Sequence, residues 1–247
     1  MHTEVKFFEG LSDVTIKELV DQSRPVNLKS GESIEYNPDG TTDQIIFPIN
    51  AVCALTAVTE NAEPVCLPLF GSEAFIGSSI KTDRAQKTKI RSVVVVGGLG
   101  LAIQTGRFTH LFLKYNDINI KRVAMTVRLM SATGAEVSCS AAHSPTQRIA
   151  ERIAKISSIL RTDDFSVTGG MLAKAANCSR SSVQRAFADL KALEAVAQDD
   201  GRVSIVSHAA LESVACGCSR SPHELEHVGQ LTLPMGGQND NVLSFRR

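Results

Sequence analysis

From Pro25 to Gln104 the apolar residues come in short runs, SIEY, QIIFPI, AVCALTAV, EPVCLPLF, KIRSVVVV and LGLAI, separated by NPDGTT, TENAE and GGLG. β-Branched and aromatic side chains fit a pleated surface, and strands at this spacing predict a small sandwich, barrel or jelly roll. The stretch VVVVGGLG could be mistaken for a dinucleotide-binding loop, but LAIQ after it reads as another strand and not as a helix. The glycines are therefore predicted to form a hairpin turn. Ahead of the strands, LSDVTIKELVDQS carries Leu11, Val14, Ile16, Leu19 and Val20 at helical spacing, with Ser12 or Asp13 available as a cap.

After Thr105 the period changes. RFTHLFLKY predicts a short helix, and a long one follows from Asp117 to about Cys139. On the long helix Ile120, Val123, Val127, Met130, Gly134 and Val137 recur at spacings of 3, 4, 3, 4 and 3, which is a heptad seam. Such a seam packs on a second copy of the chain or, in the alternative reading, on the chain's own β unit. Gly134 costs helix stability but lets two backbones come close. SAAHSPTQ then interrupts the pattern. Ser144, Pro145 and Gln147 supply a capping hydroxyl, a first-turn proline and a capping-box amide, and Ile149, Ile153, Ile156 and Leu160 follow on one face.

TGGMLAKAANCSRSSVQRAFADLKALE predicts a short helix, a tight turn at Asn177 and Cys178, and a second helix capped by Ser179. Leu172, Ala173 and Ala176 face Val183, Ala186, Phe187 and Leu190 across the turn, as in a helix-turn-helix. Asn177 takes a position often held by Gly, because Asn tolerates left-handed backbone angles. With the apolar positions turned inward, Arg180, Ser181, Gln184 and Arg185 are left outside. Arg can donate two hydrogen bonds to guanine and Gln can pair bidentately with adenine, although charged clusters are often only solvated surface. AVAQ, DDGR and VSIV complete a hairpin with an Asp-Gly turn, a wing placed directly after the second helix.

The 247 residues, 43% hydrophobic and 21% charged, have the composition of an ordinary globular protein and room for two domains. No apolar run approaches the roughly 20 residues of a membrane-spanning helix, and no basic, apolar leader opens the chain, so a cytoplasmic protein without a membrane partner is expected. The six cysteines are then expected to be reduced. Net charge is zero, which argues against blanket electrostatic capture of nucleic acid. Between residues 174 and 191, however, Lys174, Arg180, Arg185 and Lys191 face Asp189 alone.

The order of β-rich unit, long helix and winged helix-turn-helix, together with NCSRSSVQRAFADLKALEAV, IIFPINAV and FGSEAFIG, resembles the cAMP receptor/FNR (Crp/Fnr) superfamily of bacterial transcription regulators over about residues 7–216. The resemblance implies an α+β chain: a cyclic-nucleotide-binding-like β-roll at 1–106, helices including a dimerisation helix at 107–142, and a winged-helix DNA-binding domain at 143–216; the residues beyond, 217–247, are expected to form a mobile tail. It implies a homodimer on double-stranded DNA, acting through RNA polymerase and governed by an effector that the residues do not name. Base readout would fall on Ser181, Gln184 and Arg185, with Arg180, Lys174 and Ser179 beside them. Many relatives carry Glu where this chain has Ser181. A competing reading keeps the fold but makes the winged domain a protein-interaction or small-molecule-binding module.

A cyclic-nucleotide pocket in that superfamily uses a Glu for the ribose and an Arg followed by Ser or Thr for the phosphate. Glu73 and the pair Arg91–Ser92 are the matching positions, but SSIKTDRAQKTKI separates them widely and GSEA replaces Gly-Glu-Leu. The expectation is the branch that does not bind cyclic nucleotides, with no cofactor assigned. No cysteine precedes Cys53 and no histidine lies between His2 and His110, which removes an N-terminal iron–sulfur site, a haem ligand in the roll and a cupin-type metal site. Cys53, Cys66 and Cys139 are expected to be buried structural residues. HELEH (His223–His227) fits a zinc-protease motif with too little chain after it for a protease. Joining Cys216 and Cys218 to His223 and His227 as a zinc site gives spacing atypical of structural zinc, and no metal is expected. No catalytic residue is assigned.

Overall fold

The computed structural model describes residues 5–37, 39–58, 64–79 and 89–219. A turn of 3-10 helix (Lys6–Phe8) and α1 (Asp13–Asp21) open the chain, and the Ser12 hydroxyl caps α1 by accepting from Thr15 N. Seven strands follow: β1 (Arg24–Leu28), β2 (Ser33–Ile34), β3 (Gln44–Pro48), β4 (Val52–Val58), β5 (Val65–Phe70), β6 (Lys89–Val96) and β7 (Gly98–Gln104). They form two antiparallel sheets, β1-β7-β3 and β2-β6-β4-β5.

This topology corrects the hairpin expected at GGLG. β6 and β7 belong to different sheets, and Gly97 carries the chain across from one to the other. Two neighbouring backbones leave no room for a side chain at the crossing: a Cβ on Gly97 would lie 2.9 Å from Leu28 O and one on Gly98 2.5 Å from Asn50 O. Alternation along a strand marks its buried face but not which neighbour its backbone pairs with.

The roll's core is aromatic. Phe7, Phe8, Phe47, Phe75 and Phe108 form a chain of ring contacts with centroids 5.1–6.0 Å apart, mostly edge to face. The cluster fastens the N-terminal turn and α2 (Thr105–Lys114) onto the sheets. α3 (Asn116–Ala142) then runs for 27 residues. Only Ile118, Ala124, Glu136 and Cys139 on it are buried; Val123, Val127, Met130 and Val137 are 41–70% exposed, Gly134 is exposed and Ile120 is half-buried.

The C-terminal unit comprises α4 (Pro145–Leu160), β8 (Asp164–Ser166), α5 (Gly169–Ala175), α6 (Arg180–Ala192), β9 (Val196–Asp199), β10 (Arg202–Ile205) and α7 (His208–Val214). The capping box expected at Ser144 and Gln147 is formed. β8, absent from the sequence reading, pairs with β10 to give a three-stranded sheet, β8-β10-β9. One apolar cluster runs from Val52, Cys66, Leu69 and Val95 of the roll into Ile149, Ile153, Met171 and Leu172, so the two units are packed together.

Residues 217–219, expected to open a mobile tail, are instead held in place. Gly217 N and Ser219 N donate to the Glu151 carboxylate at 2.7 and 3.0 Å, as does the Ser219 hydroxyl, and this holds residues 217–219 on α4. Residues 220–247, with the HELEH motif, lie outside the described residues.

Candidate nucleic-acid interface

The turn between α5 and α6 follows from Asn177. Its φ of 49° places it in the left-handed region, and Asn177 N and Cys178 N return hydrogen bonds to Lys174 O and Ala173 O, closing α5. Ser179 then caps α6: its hydroxyl accepts from Ser182 N at 3.1 Å and lies 2.8 Å from the Ser181 hydroxyl. Leu172, Ala173, Ala176, Val183, Ala186, Phe187 and Leu190 are all buried, and the two helices pack through them.

What remains outside is the predicted polar face. Arg180, Ser181, Gln184 and Arg185 are exposed, as are Lys174 on α5 and the cap Ser179. At 3.6 residues per turn, positions 180, 181, 184 and 185 fall within an arc of about 140° on one side of the helix. The Arg180 guanidinium stacks over Gly170, where a Cβ would come within 3.3 Å of it. Arg180, Gln184, Lys191 and Gln198 border an open cleft of about 470 Å³ between the start of α5, α6 and the wing.

The wing turns at Asp200 (φ 39°) and Gly201 (φ 78°), two successive left-handed residues as a tight hairpin requires. Arg202 donates to both Asp164 oxygens at 2.6 Å. This fork ties the wing to β8 and holds the Asp164 carboxyl below its ordinary value. The result is a rigid helix end carrying two guanidiniums and an amide, with a braced hairpin beside it. Such a surface offers donors and acceptors at fixed spacing to a polyanion with a grooved edge.

No protein-family model and no curated protein matches the chain. Solved structures do match. One described as a Crp/Fnr-family transcriptional regulator, from Eubacterium rectale, aligns with a TM-score of 0.60 at 13% identity, covering 84% of this chain and 96% of that one. The c-di-GMP-responsive global regulator CLP of Xanthomonas campestris aligns at 0.60 and 17% identity, over 79% and 100%. FixK2 of Bradyrhizobium japonicum aligns at 0.59 and 9% identity, over 78% and 97%. The chain has the Crp/Fnr fold. Within that fold, the roll, the long helix and the winged unit lie in the order expected from the sequence.

Of the residues singled out in the roll, Arg91 on β6 pairs with Glu35 at 3.1 Å; Glu35 follows β2, which lies beside β6. Ser92 is fully buried, with its hydroxyl 3.5 Å from that of Tyr36. Glu73 is half-buried beyond the end of β5. Arg91 is thus engaged in a partly exposed ion pair. Cys53 and Cys66 are buried as expected, and burial pushes their thiols up to about 12 and about 11.

Three features escaped the sequence reading, and all lie where the roll, α3 and the winged unit meet. The Asn177 side chain bonds both backbone polar groups of Cys66. Arg152 on α4 makes a buried fork with Glu136 on α3. The thiols of Cys139, Cys216 and Cys218 gather within 4.8 Å of one another. Asn in place of Gly at a helix-turn-helix turn was the one visible hint of the first.

Proposed function

We propose that this protein is a homodimeric, sequence-specific DNA-binding transcription regulator, with the roll as its sensory unit. The observation that carries the reading is the exposed quartet Arg180, Ser181, Gln184 and Arg185 on the N-terminal half of the second helix of a winged helix-turn-helix. In this role α6 enters the major groove, Gln184 and Arg185 read base edges, and Lys174 and Arg180 engage phosphates.

The apolar stripe of α3 supports the dimer. Val123, Val127, Met130 and Val137 face outward at heptad spacing, and a Cβ on Gly134 would meet nothing within 4 Å. Two such helices packed side by side bury the stripe. A twofold axis would then place two α6 helices about 34 Å apart, one turn of DNA, and call for a palindromic site. Contact with RNA polymerase and control by an effector in the roll belong to the same proposal.

The test is titration of the full chain with duplex DNA selected from a random pool, read by fluorescence anisotropy across a salt series. Recovery of a palindrome, with affinity falling as salt rises through release of counterions from phosphate, supports the reading. Absence of salt-dependent duplex binding overturns it in favour of a protein-contacting winged domain.

A further inference from the structure

Cys139 lies near the end of α3 and is 2% exposed, whereas Cys216 and Cys218 lie on the segment after α7. They are 77 and 79 residues away in sequence, yet the three sulfurs fall within 4.8 Å of one another, with Cys139 Sγ and Cys216 Sγ 3.5 Å apart. Thiolates bound to one tetrahedral zinc at about 2.3 Å stand about 3.8 Å from each other, so the cluster already has nearly the edge length of a metal-binding face.

The surroundings are built and not incidental. Glu151 accepts from Gly217 N and Ser219 N and so fixes the Cys-x-Cys segment on both sides of Cys218. Arg152, the next residue, is buried and held by its fork to Glu136, with its Nε unpartnered.

We propose that Cys139, Cys216 and Cys218 form a three-thiolate site for a thiophilic d10 cation, of which Zn²⁺ is the probe. Binding replaces three S–H bonds with three metal–sulfur bonds and releases three protons, with no change in oxidation state. The fourth tetrahedral position is left to water or an exogenous ligand.

The site would join the end of the long helix to the end of the winged unit. It depends on these thiols alone, whatever α6 contacts.

Reduced, metal-free full-length protein would be titrated with Zn²⁺ against a competing chromophoric chelator, and the loaded form examined by X-ray absorption. One ion per protomer is expected, with three sulfur neighbours at about 2.3 Å. Cys139→Ser, Cys216→Ser and Cys218→Ser should each weaken binding at least tenfold. Cys216 and Cys218 are partly exposed outside the regular elements, so their variants decide the matter even if Cys139→Ser fails to fold. Substoichiometric zinc, unchanged affinity in the Cys216 or Cys218 variant, or loss of binding only in a His223→Ala/His227→Ala variant would overturn the assignment.

Discussion

The Asn177 side chain accepts a hydrogen bond from Cys66 N at 2.7 Å and donates one to Cys66 O at 2.8 Å. Cys66 lies on β5, the edge strand of its sheet, so the amide completes two backbone groups as another strand would. The residue that makes the helix-turn-helix turn therefore also fastens it to the roll. Asn177→Gly keeps the left-handed turn but loses both bonds. At about 0.5–1.5 kcal/mol each, the contact should weaken by about 1–3 kcal/mol, seen as faster hydrogen exchange at Cys66 and its β5 neighbours. Unchanged protection in that variant would show that the pair contributes nothing.

The Glu136–Arg152 fork joins α3 to α4 with side chains only 7% and 3% exposed. Removing one partner strands a buried charge. Glu136→Ala is expected to cost about 3–5 kcal/mol of unfolding free energy in denaturant titrations, whereas Glu136→Met with Arg152→Met should cost much less. Equal losses in the single and double variants would contradict this.

Asp117, in the first turn of α3, accepts from Ser12 N, the Thr15 hydroxyl and Ile118 N, and so pins α1 to the long helix. Burial raises this carboxyl, but the hydrogen bonds outweigh it and hold it below its ordinary value of 3.8. A carboxyl depressed by folding contributes fully above its unfolded value, about 3.9, and loses that contribution as pH falls through the folded one. Asp117→Asn should lower stability at neutral pH and flatten the loss below about pH 4. Thermal unfolding between pH 2 and 7 checks it; an acid limb parallel to that of the unaltered protein would refute the linkage.

Val127→Asp puts a charge in the middle of the α3 stripe without touching the core, since Val127 is 41% exposed. Sedimentation should show a monomer, and duplex affinity should drop about 100-fold or more as the two α6 helices lose their linkage. A dimer that persists in this variant means that another surface joins the protomers.

Arg185→Ala should weaken specific DNA binding by about 1–3 kcal/mol and relax sequence preference, whereas Lys174→Ala should weaken all sequences alike and reduce the salt slope by about 1. Site selection with each variant distinguishes these outcomes. An unaltered preference in the Arg185 variant would remove it from base readout.

Local pattern alone determined much of this protein. Short apolar runs specified strands of the roll and of the wing but not β8, the 3-4 spacing specified the outward stripe of α3, Ser12, Ser144 and Ser179 marked helix starts, and Arg180, Ser181, Gln184 and Arg185 were recognisable as one exposed face. These are short-range properties, set by the period of the backbone and by hydrogen bonds within a few residues. Tertiary structure alone decided that GGLG crosses between sheets, that Phe7 and Phe8 belong to the roll's core, that Asn177 reaches Cys66, and that Cys139 meets Cys216 and Cys218. Each of those depends on residues tens of positions apart being brought together by burial, and the side chains involved carry no periodic signal of their partner.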